Sequence, residues 1–262
     1  MLKKCFSLMD LTTLRPNDTV ASVRQLVDKV NRLPAEYPDY PLPASICVDP
    51  NFASVVREHR CSPELHVTTV ASCFPSAQSF LEVKVQECVL AVRGGADEVD
   101  IVLALNAFLA EDYAAASQEI VAMREAIEAE AARQGRRVVL KVILETGLLA
   151  TPERIARASF LAMEAGADFI KTSTGKVDVN ATPEAAWVMC ECIKAFHAKT
   201  GRRVGFKAAG GISNDRDALL YYSIGATVLG PDWVEKEHFR FGVSRLGNSL
   251  MSAIEQKPVV FF

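Results

Sequence analysis

The sequence contains no apolar run that approaches the roughly 20 residues needed to cross a bilayer. Its first six residues also lack the long apolar segment and the small-residue cleavage site of a secretory signal peptide. Basic residues are not in excess, since the formal net charge is -3, which argues against binding to nucleic acids or membrane surfaces. The cysteines number seven and are irregularly spaced, as is typical of reduced thiols. We therefore expect a soluble, cytoplasmic protein that binds neither nucleic acid nor membranes.

Histidine is scarce, and the motifs of metal and dinucleotide sites are missing. A zinc site needs clustered histidine or cysteine ligands, but no His-Glu-x-x-His or Cys-x-x-Cys occurs. Cys190 and Cys192 are two residues apart in a predicted helix and point to different faces. No Gly-x-Gly-x-x-Gly follows an early strand, which disfavours a dinucleotide fold. We expect neither a metal nor an organic cofactor. The scattered histidines are His66, expected in a strand or turn, and His59, His197 and His238, expected at the surface.

Short β-branched runs alternate with longer amphipathic stretches along the chain. Apolar residues recur at helical spacing, as in Tyr113, Ala116, Ile120, Met123 and Ile127, and again in Val20, Val23, Val27 and Val30. Thr151 and Thr182 each precede a proline and a glutamate, which predicts two helix starts. Such alternation is typical of a parallel sheet. The predicted strands are residues 45–48, 66–71, 98–103, 138–144, 169–173, 204–208, 227–230 and a shorter one near 239–242.

Two sequence blocks occur twice. Residues 95–100 resemble residues 166–171, and residues 135–141 resemble residues 201–207. Each block is a helix-ending glycine followed by a strand, so a βαβα unit is repeated. Eight strands built from such units favour an α/β fold, a closed (β/α)8 TIM barrel with an extra N-terminal helix, over an open sheet. The proline-dense residues 33–43 have the length of one loop, so we expect a single domain over residues 1–262.

The repeats place charged side chains at matching points of four consecutive strands: Asp100, Lys141, Lys171 and Lys207. Each lysine has apolar neighbours, and an unpaired buried ammonium costs roughly several kcal/mol. One interpretation is that each lysine pairs with a core carboxylate, for which the candidates are Glu98, Asp100 and Glu145. The other is that crowded cations lower one another's pKa, so that one amine can attack a carbonyl carbon while its neighbours move protons. Three lysines on adjacent strands favour the second, which is the chemistry of a Schiff-base aldolase.

Three segments that contain glycine follow predicted strands: residues 172–176, 209–212 and 242–245. Loops after the late strands of this barrel commonly hold a phosphate through free backbone N–H groups. The alternative is that the glycines only make turns.

Six segments resemble the deoxyribose-phosphate aldolase family: residues 8–14, 95–100, 141–143, 165–184, 205–207 and 240–242. The similarity extends from about residue 8 to the final helix, and the segment around Lys171 is highly specific. The resemblance implies reversible cleavage of 2-deoxyribose 5-phosphate to glyceraldehyde 3-phosphate and acetaldehyde, in deoxyribonucleoside catabolism. It also implies that this reaction needs no metal or organic cofactor.

The resemblance further implies roles for single residues. Spacing alone does not decide between Lys171 and Lys207 as nucleophile, and the resemblance assigns the Schiff base to Lys171. Asp100 and Lys207 then correspond to the proton-relay pair. The other implied roles are an additional active-site lysine at Lys141, a supporting carboxylate at Asp10, a cysteine near the substrate at Cys47, sugar contacts at Thr174 and Lys176, and phosphate contacts at Gly210, Gly211 and Ser244.

The chain departs from its relatives near the expected phosphate site. Ala208 stands where the family often has proline, and Ser213 where some relatives carry arginine. Arg245 stands where they show a second serine. One interpretation is that Arg245 supplies the cation missing at Ser213. The alternative is a solvated arginine on the last helix.

Two other functions stay open. Another Schiff-base lyase, such as a transaldolase or a keto-acid aldolase, would use the same lysine with a different donor. An inactive sugar-phosphate-binding protein is the second, although it would have no reason to maintain Asp100, Lys171 and Lys207. Apolar outer helices and the family suggest a homodimer. The sequence does not show whether residues 259–262 close over the site or pack against the barrel.

Overall fold

The computed structural model describes residues 1–262, and its eight strands close into a barrel. The strands are β1 (Met9–Thr12), β2 (Ser45–Val48), β3 (His66–Val70), β4 (Glu98–Val102), β5 (Val139–Ile143), β6 (Phe169–Lys171), β7 (Gly205–Ala209) and β8 (Phe239–Val243). The helices are α1 (Leu2–Ser7), α2 (Val20–Glu36), α3 (Ala53–His59), α4 (Leu81–Arg93), α5 (Leu105–Leu109), α6 (Tyr113–Arg133), α7 (Thr146–Leu149), α8 (Pro152–Glu164), α9 (Pro183–Thr200), α10 (Asp215–Val228) and α11 (Leu246–Glu255). Short 3-10 helices occupy Pro50–Phe52 and Pro231–Trp233.

Each strand pairs in parallel with the next one along the chain, and β8 pairs with β1. The predicted (β/α)8 barrel is therefore confirmed, and α1 is the extra N-terminal helix. Six predicted strands correspond to β2 through β7, and the short one near residues 239–242 corresponds to β8. The repeated blocks contain β4 with β5, and β6 with β7.

One predicted strand is wrong and one was missed. Residues 227–230 are the end of α10 and the turn after it, because Val228 continues the buried helical spacing of Tyr221 and Ile224. The missed strand is β1, where Asp10 interrupts the apolar pattern. Consequently Cys47 lies on the second strand and Lys207 on the seventh. The stretch at residues 33–43 is also not only a loop, since α2 continues through Pro34.

The predicted helix features are present. Ala116, Ile120, Met123 and Ile127 are buried on α6. On α2, Val23, Val27 and Val30 are buried, whereas Val20 at the start is exposed. Thr151 and Thr182 cap α8 and α9 by accepting backbone N–H groups. None of the helices combines the length and the apolar character needed to cross a membrane.

Strand alternation divides the side chains of the barrel into two sets. Successive side chains of a strand point to opposite faces. Val99, Ile101, Leu140 and Val142 join the large apolar core that also contains helix residues such as Ile120. The charged residues alternate with them and contact one another inside the barrel, and the register places Asp100 beside Lys141, and Lys171 beside Lys207. The lysines therefore lie in the interior of the barrel.

Candidate active site

Asp100 is the centre of a buried cluster of ionic side chains. Its Oδ2 lies 2.8 Å from Nζ of Lys171 and 2.8 Å from Nζ of Lys207, and its Oδ1 lies 3.0 Å from Nζ of Lys141. The four residues come from β4, β5, β6 and β7, the strands of the repeat. Asp100, Lys141 and Lys207 are fully buried, while Lys171 is 4% exposed. The predicted cluster is therefore formed, and Lys171 is its most accessible lysine.

Asp10 is a second carboxylate in the same cluster. Its Oδ2 lies 2.5 Å from Nζ of Lys207 and 3.3 Å from Nζ of Lys141. Its Oδ1 accepts hydrogen bonds from the Ser45 hydroxyl at 2.8 Å and from Nη1 of Arg240 at 2.5 Å. Asp10 thus pairs with two of the lysines that Asp100 also contacts, an arrangement that is compatible with the expected supporting role.

Glu98 is the third carboxylate, at the amino end of β4. It pairs with Lys141 and receives both terminal nitrogens of Arg240, with the Nη2 to Oε1 distance at 2.7 Å. The Thr68 hydroxyl donates to its Oε2 at 3.0 Å. Nδ1 of His66, a half-exposed residue at the start of β3, lies 2.7 Å from its Oε1. The cluster therefore extends from the cavity side of the barrel to its amino-terminal end.

The pKa values of the lysines shift in different directions. Burial lowers the pKa of Lys171, and the charge of Lys207 adds to this effect although Asp100 opposes it. Burial acts to lower the pKa of Lys141 and Lys207 as well, but their carboxylate partners outweigh it and raise both. Burial opposes ionisation of Asp10, Glu98 and Asp100, yet the surrounding cations hold the pKa of each carboxyl well below its usual range.

The two interpretations of the buried lysines therefore apply to different residues. Lys141 and Lys207 are each paired with more than one carboxylate, as the pairing interpretation expects. Lys171 contacts only Asp100, and its lowered pKa agrees with the nucleophile interpretation. Glu145, the other predicted counter-ion, does not belong to the cluster. Its carboxylate accepts the backbone N–H and the hydroxyl of Thr174, at 3.1 and 2.5 Å.

Cys47 is buried on β2 next to this cluster. Burial raises the pKa of its thiol to about 11, and the charges of Lys207 and Asp100 act on it in opposite directions. The thiol is therefore uncharged at neutral pH. None of the groups of His, Cys, Asp and Glu side chains in the chain has an arrangement suited to a metal ion.

A cavity of about 310 Å³ lies above Lys171, at the carboxyl ends of β1, β6, β7 and β8. The side chain of Lys171 forms part of its lining, whereas Lys141 and Lys207 do not line it. Six residues with expected contacts to substrate also line it: Thr174, Lys176, Gly210, Gly211, Ser244 and Arg245. The structure therefore brings these six expected residues together beside one lysine, whereas Cys47, which was also expected near the substrate, is buried and does not line the cavity. This is the end of the barrel where (β/α)8 enzymes place their active sites.

The cavity wall near Gly210 and Gly211 requires glycine. Both have left-handed φ angles, of 85° and 83°, which side chains with a Cβ rarely adopt. A Cβ at Gly210 would also lie 2.5 Å from the Cβ of Asn180. Turn geometry therefore favours glycine at both positions, the contact with Asn180 does so at Gly210, and the same conformation is compatible with the phosphate interpretation.

Arg245 lies at the amino end of α11 and is exposed. It lines the cavity together with Ser213, the position where some relatives carry arginine. A cation that replaces that arginine has to lie in the same cavity. Arg15, which the sequence analysis did not single out, lines the cavity too. Arg15 and Arg245 also border an adjacent cavity of about 280 Å³.

The apolar end of the chain packs against the barrel. The Asn248 side chain accepts the backbone N–H groups of Phe261 and Phe262, each at 2.9 Å. The ring of Phe261 stacks edge-on against Tyr37 of the α2 end. Phe262 borders the adjacent cavity and does not line the one above Lys171. The packed alternative for residues 259–262 is therefore the one observed.

Arg240 and His66 were missed as members of the ionic cluster. Arg240 carried a usable signal, because it is a charged residue between Phe239 and Phe241 in a predicted strand, as the lysines are in theirs. However, Arg240 lies outside the two repeated blocks, which are the feature that predicts the lysine cluster. His66 had no such signal, since it stands at the polar start of its strand.

Known proteins are similar to this chain in sequence and in architecture. The DeoC/LacD family aldolases match residues 5–222 of the chain. A Caenorhabditis elegans protein that carries the provisional name deoxyribose-phosphate aldolase is 40% identical over 248 residues, which are 94% of this chain and 78% of the relative. A crystal structure from Coccidioides immitis under the same provisional name has a TM-score of 0.75 at 26% identity, and the match covers 93% of this chain and 83% of that one.

A third relative shows the shared fold at lower identity. The deoxyribose phosphate aldolase of Aeropyrum pernix has a TM-score of 0.74 at 24% identity, with 98% of this chain and 93% of that one covered. That protein is described as a tetramer, whereas our sequence-based expectation for this chain is a dimer. Because the family match covers most of the chain, this protein belongs to the DeoC/LacD family of aldolases.

Proposed function

We propose that this aldolase reversibly cleaves 2-deoxy-D-ribose 5-phosphate to D-glyceraldehyde 3-phosphate and acetaldehyde through a Schiff base on Lys171, in deoxyribonucleoside catabolism. The observation that carries the proposal is the position of Lys171. It is the lysine of the cluster that lines the cavity, has one carboxylate partner and has a lowered pKa. A neutral amine beside a cavity is the form that attacks a carbonyl carbon.

The reaction begins when Nζ of Lys171 adds to C1 of the open-chain sugar and forms a carbinolamine. Loss of water then gives the protonated imine. Oδ2 of Asp100 lies 2.8 Å from Nζ of both Lys171 and Lys207, so this carboxylate can accept a proton from one amine and pass it to the other. These two residues are therefore the proposed proton-relay pair.

Cleavage breaks the bond between C2 and C3. The proton of the C3 hydroxyl passes to the proposed relay of Asp100 and Lys207, C3 becomes the aldehyde carbon of glyceraldehyde 3-phosphate, and the electron pair of the broken bond moves into the imine. The resulting enamine takes up a proton at C2, and water then releases acetaldehyde and regenerates the amine of Lys171. Every step uses groups of this chain and water, so the proposal assigns the protein to the metal-independent class I aldolases.

The cavity lining accounts for the rest of the substrate. Gly210, Gly211 and Ser244 lie at the ends of the late strands, where backbone N–H groups and a hydroxyl can hold the phosphate. Thr174 and Lys176 line the cavity next to Lys171 and are the proposed contacts of the sugar. The remaining proposed roles are those of Lys141 and Asp10, which hold the cluster in place, and of Cys47, which borders it as a neutral thiol.

Borohydride reduction in the presence of acetaldehyde tests this proposal. We expect one ethyl group on Lys171 by peptide mapping, and turnover of 2-deoxyribose 5-phosphate that EDTA does not change. An ethyl group on Lys207 instead, or loss of activity in EDTA, contradicts the assignment. Dihydroxyacetone and pyruvate as donors separate the transaldolase and keto-acid aldolase alternatives, since each predicts trapping with its own donor. A protein that binds the sugar phosphate without turnover or trapping is the inactive alternative.

A further inference from the structure

Basic groups outnumber carboxylates inside the barrel. The basic side chains of the ionic cluster are Lys141, Lys171, Lys207 and Arg240, and its carboxylates are Asp10, Glu98 and Asp100. An unmatched charge in a buried site is costly. The charges of the cluster balance when one of the four basic groups is uncharged. The number of carboxylates that each basic group contacts indicates which group that is.

Arg240 cannot be the uncharged group, because a guanidinium does not lose its proton in proteins. Lys141 contacts all three carboxylates, and Lys207 contacts two of them. Lys171 has a single carboxylate contact, to an oxygen that it shares with Lys207. The neutral amine therefore belongs at Lys171.

Arg240 forms ion pairs with two carboxylates at the end of the cluster away from the cavity. Its guanidinium donates to Oδ1 of Asp10 at 2.5 Å and to both carboxylate oxygens of Glu98, at 2.7 and 3.0 Å. The backbone carbonyl of Lys236 accepts a hydrogen bond from its Nε–H, and its Cζ lies 5.7 Å from the centroid of the Phe169 ring. Arg240 is 2% exposed and does not line the cavity above Lys171. It can therefore influence the reaction only through other residues.

We propose that Arg240 is a positioning residue whose permanent charge makes Lys171 the neutral amine of the cluster. The inference rests on the proposed function, in which Lys171 is the nucleophile. With Arg240 present, three carboxylates match Arg240, Lys141 and Lys207. Without it, the same three carboxylates match three protonated lysines, and Lys171 keeps its proton.

The thiol and the hydroxyl groups of the cluster do not change this charge balance. The thiol of Cys47 is neutral because burial raises its pKa to about 11, and Ser45 and Thr68 contribute hydroxyls only. His66 is the remaining ionisable group, and it contacts Glu98 at the half-exposed end of the cluster. The charged and titratable groups on the packed strands are Asp10 (β1), Cys47 (β2), His66 (β3), Glu98 and Asp100 (β4), Lys141 (β5), Lys171 (β6), Lys207 (β7) and Arg240 (β8).

The test compares how the kcat/KM of retro-aldol cleavage and the rate of acetaldehyde trapping depend on pH in matched variants. Arg240→Met should move the ionisation of Lys171 to higher pH, so that activity at neutral pH falls roughly tenfold for each pKa unit and recovers in alkaline buffer. Glu98→Gln removes one carboxylate and should move the ionisation to lower pH. The Arg240→Met, Glu98→Gln double variant removes one charge of each sign and should restore the wild-type profile. Arg240→Lys should keep that profile, and His66→Asn is the control for titration of the histidine itself.

These outcomes separate a charge effect from a structural one. A uniform loss of activity in Arg240→Met, with the wild-type pH profile, overturns the inference. If Arg240→Met does not fold, the comparison of Glu98→Gln with the double variant decides. Identical pH profiles of these two variants also overturn the inference. The proposed function is tested separately by the wild-type protein. If wild type is not trapped at Lys171, the proposed function fails, whereas trapping of wild type without these shifts contradicts only the role of Arg240.

Discussion

Lys171 and Lys207 are register partners on β6 and β7, and both amines lie 2.8 Å from the same oxygen of Asp100. Despite this symmetry their pKa values move in opposite directions, because Lys207 also contacts Asp10 and Lys171 does not. Lys171 alone of the two lines the cavity. The opposite pKa shifts of the proposed relay lysine and the proposed nucleophile therefore depend on one additional carboxylate.

Asp100→Asn should strongly lower turnover. The carboxylate is the proposed acceptor of protons between Lys171 and Lys207, and loss of a positioned proton-transfer group typically costs about 10²–10⁴-fold. Steady-state turnover of 2-deoxyribose 5-phosphate measures the effect, and circular dichroism shows whether the variant is folded. Turnover close to that of the wild type would show that Asp100 is only a counter-ion of the lysines.

Lys207→Met should raise the pKa of Lys171. The substitution removes a like charge that disfavours the ammonium form and leaves Oδ2 of Asp100 to Lys171 alone. Because a group with a raised pKa loses its proton at higher pH, the neutral amine would appear only in more alkaline buffer. Residual activity should then recover partly as pH rises. A variant that is equally inactive at every pH would support the proton relay and contradict the electrostatic effect.

The internal repeat explains why much of the cluster could be predicted from the sequence. Lys141, Lys171 and Lys207 are charged residues inside apolar strands, and the repeat aligns them with Asp100. Asp10 also has apolar neighbours, but its strand β1 has only four residues, was not predicted and lies outside the repeat. Only the family resemblance indicated it.

Local patterns could not decide features that depend on contacts between distant segments. The β-branched pair Thr227-Val228 is equally suited to a strand, and it ends α10 because the helix has already placed Tyr221 and Ile224 on the buried face. Likewise, the proposed assignment of the neutral amine to Lys171 depends on how many carboxylates each lysine contacts. Those contacts exist only once β1, β4 and β8 meet in the closed barrel.

Glu145→Gln should weaken sugar binding without slowing Schiff-base formation. Glu145 accepts two hydrogen bonds from Thr174 on the cavity wall, and an amide cannot accept both in the same geometry. If Thr174 contacts the sugar, KM for 2-deoxyribose 5-phosphate rises, whereas borohydride trapping of acetaldehyde at Lys171 is unchanged.

Thr146→Val is the matched control for Glu145→Gln. The Thr146 hydroxyl is buried next to Glu145 and makes no hydrogen bond, so its loss should leave both measurements unchanged. Equal slowing of trapping and cleavage in Glu145→Gln would instead mean that the substitution distorts the site around Lys171.

Arg245→Ser tests whether this chain has moved a phosphate-binding cation. Arg245 and Ser213 line the same cavity, and a phosphate dianion gains charge-assisted, bidentate hydrogen bonds from a guanidinium. Loss of such a contact should cost about 1.5–3 kcal/mol in kcat/KM on 2-deoxyribose 5-phosphate. Unphosphorylated 2-deoxyribose lacks the group that Arg245 would contact, so its kcat/KM should not change.

Arg154→Ser, at an exposed arginine of α8 away from the cavity, is the control for loss of a surface charge. Equal effects of Arg245→Ser on both sugars, or no effect on either, would identify Arg245 as a solvated arginine of α11.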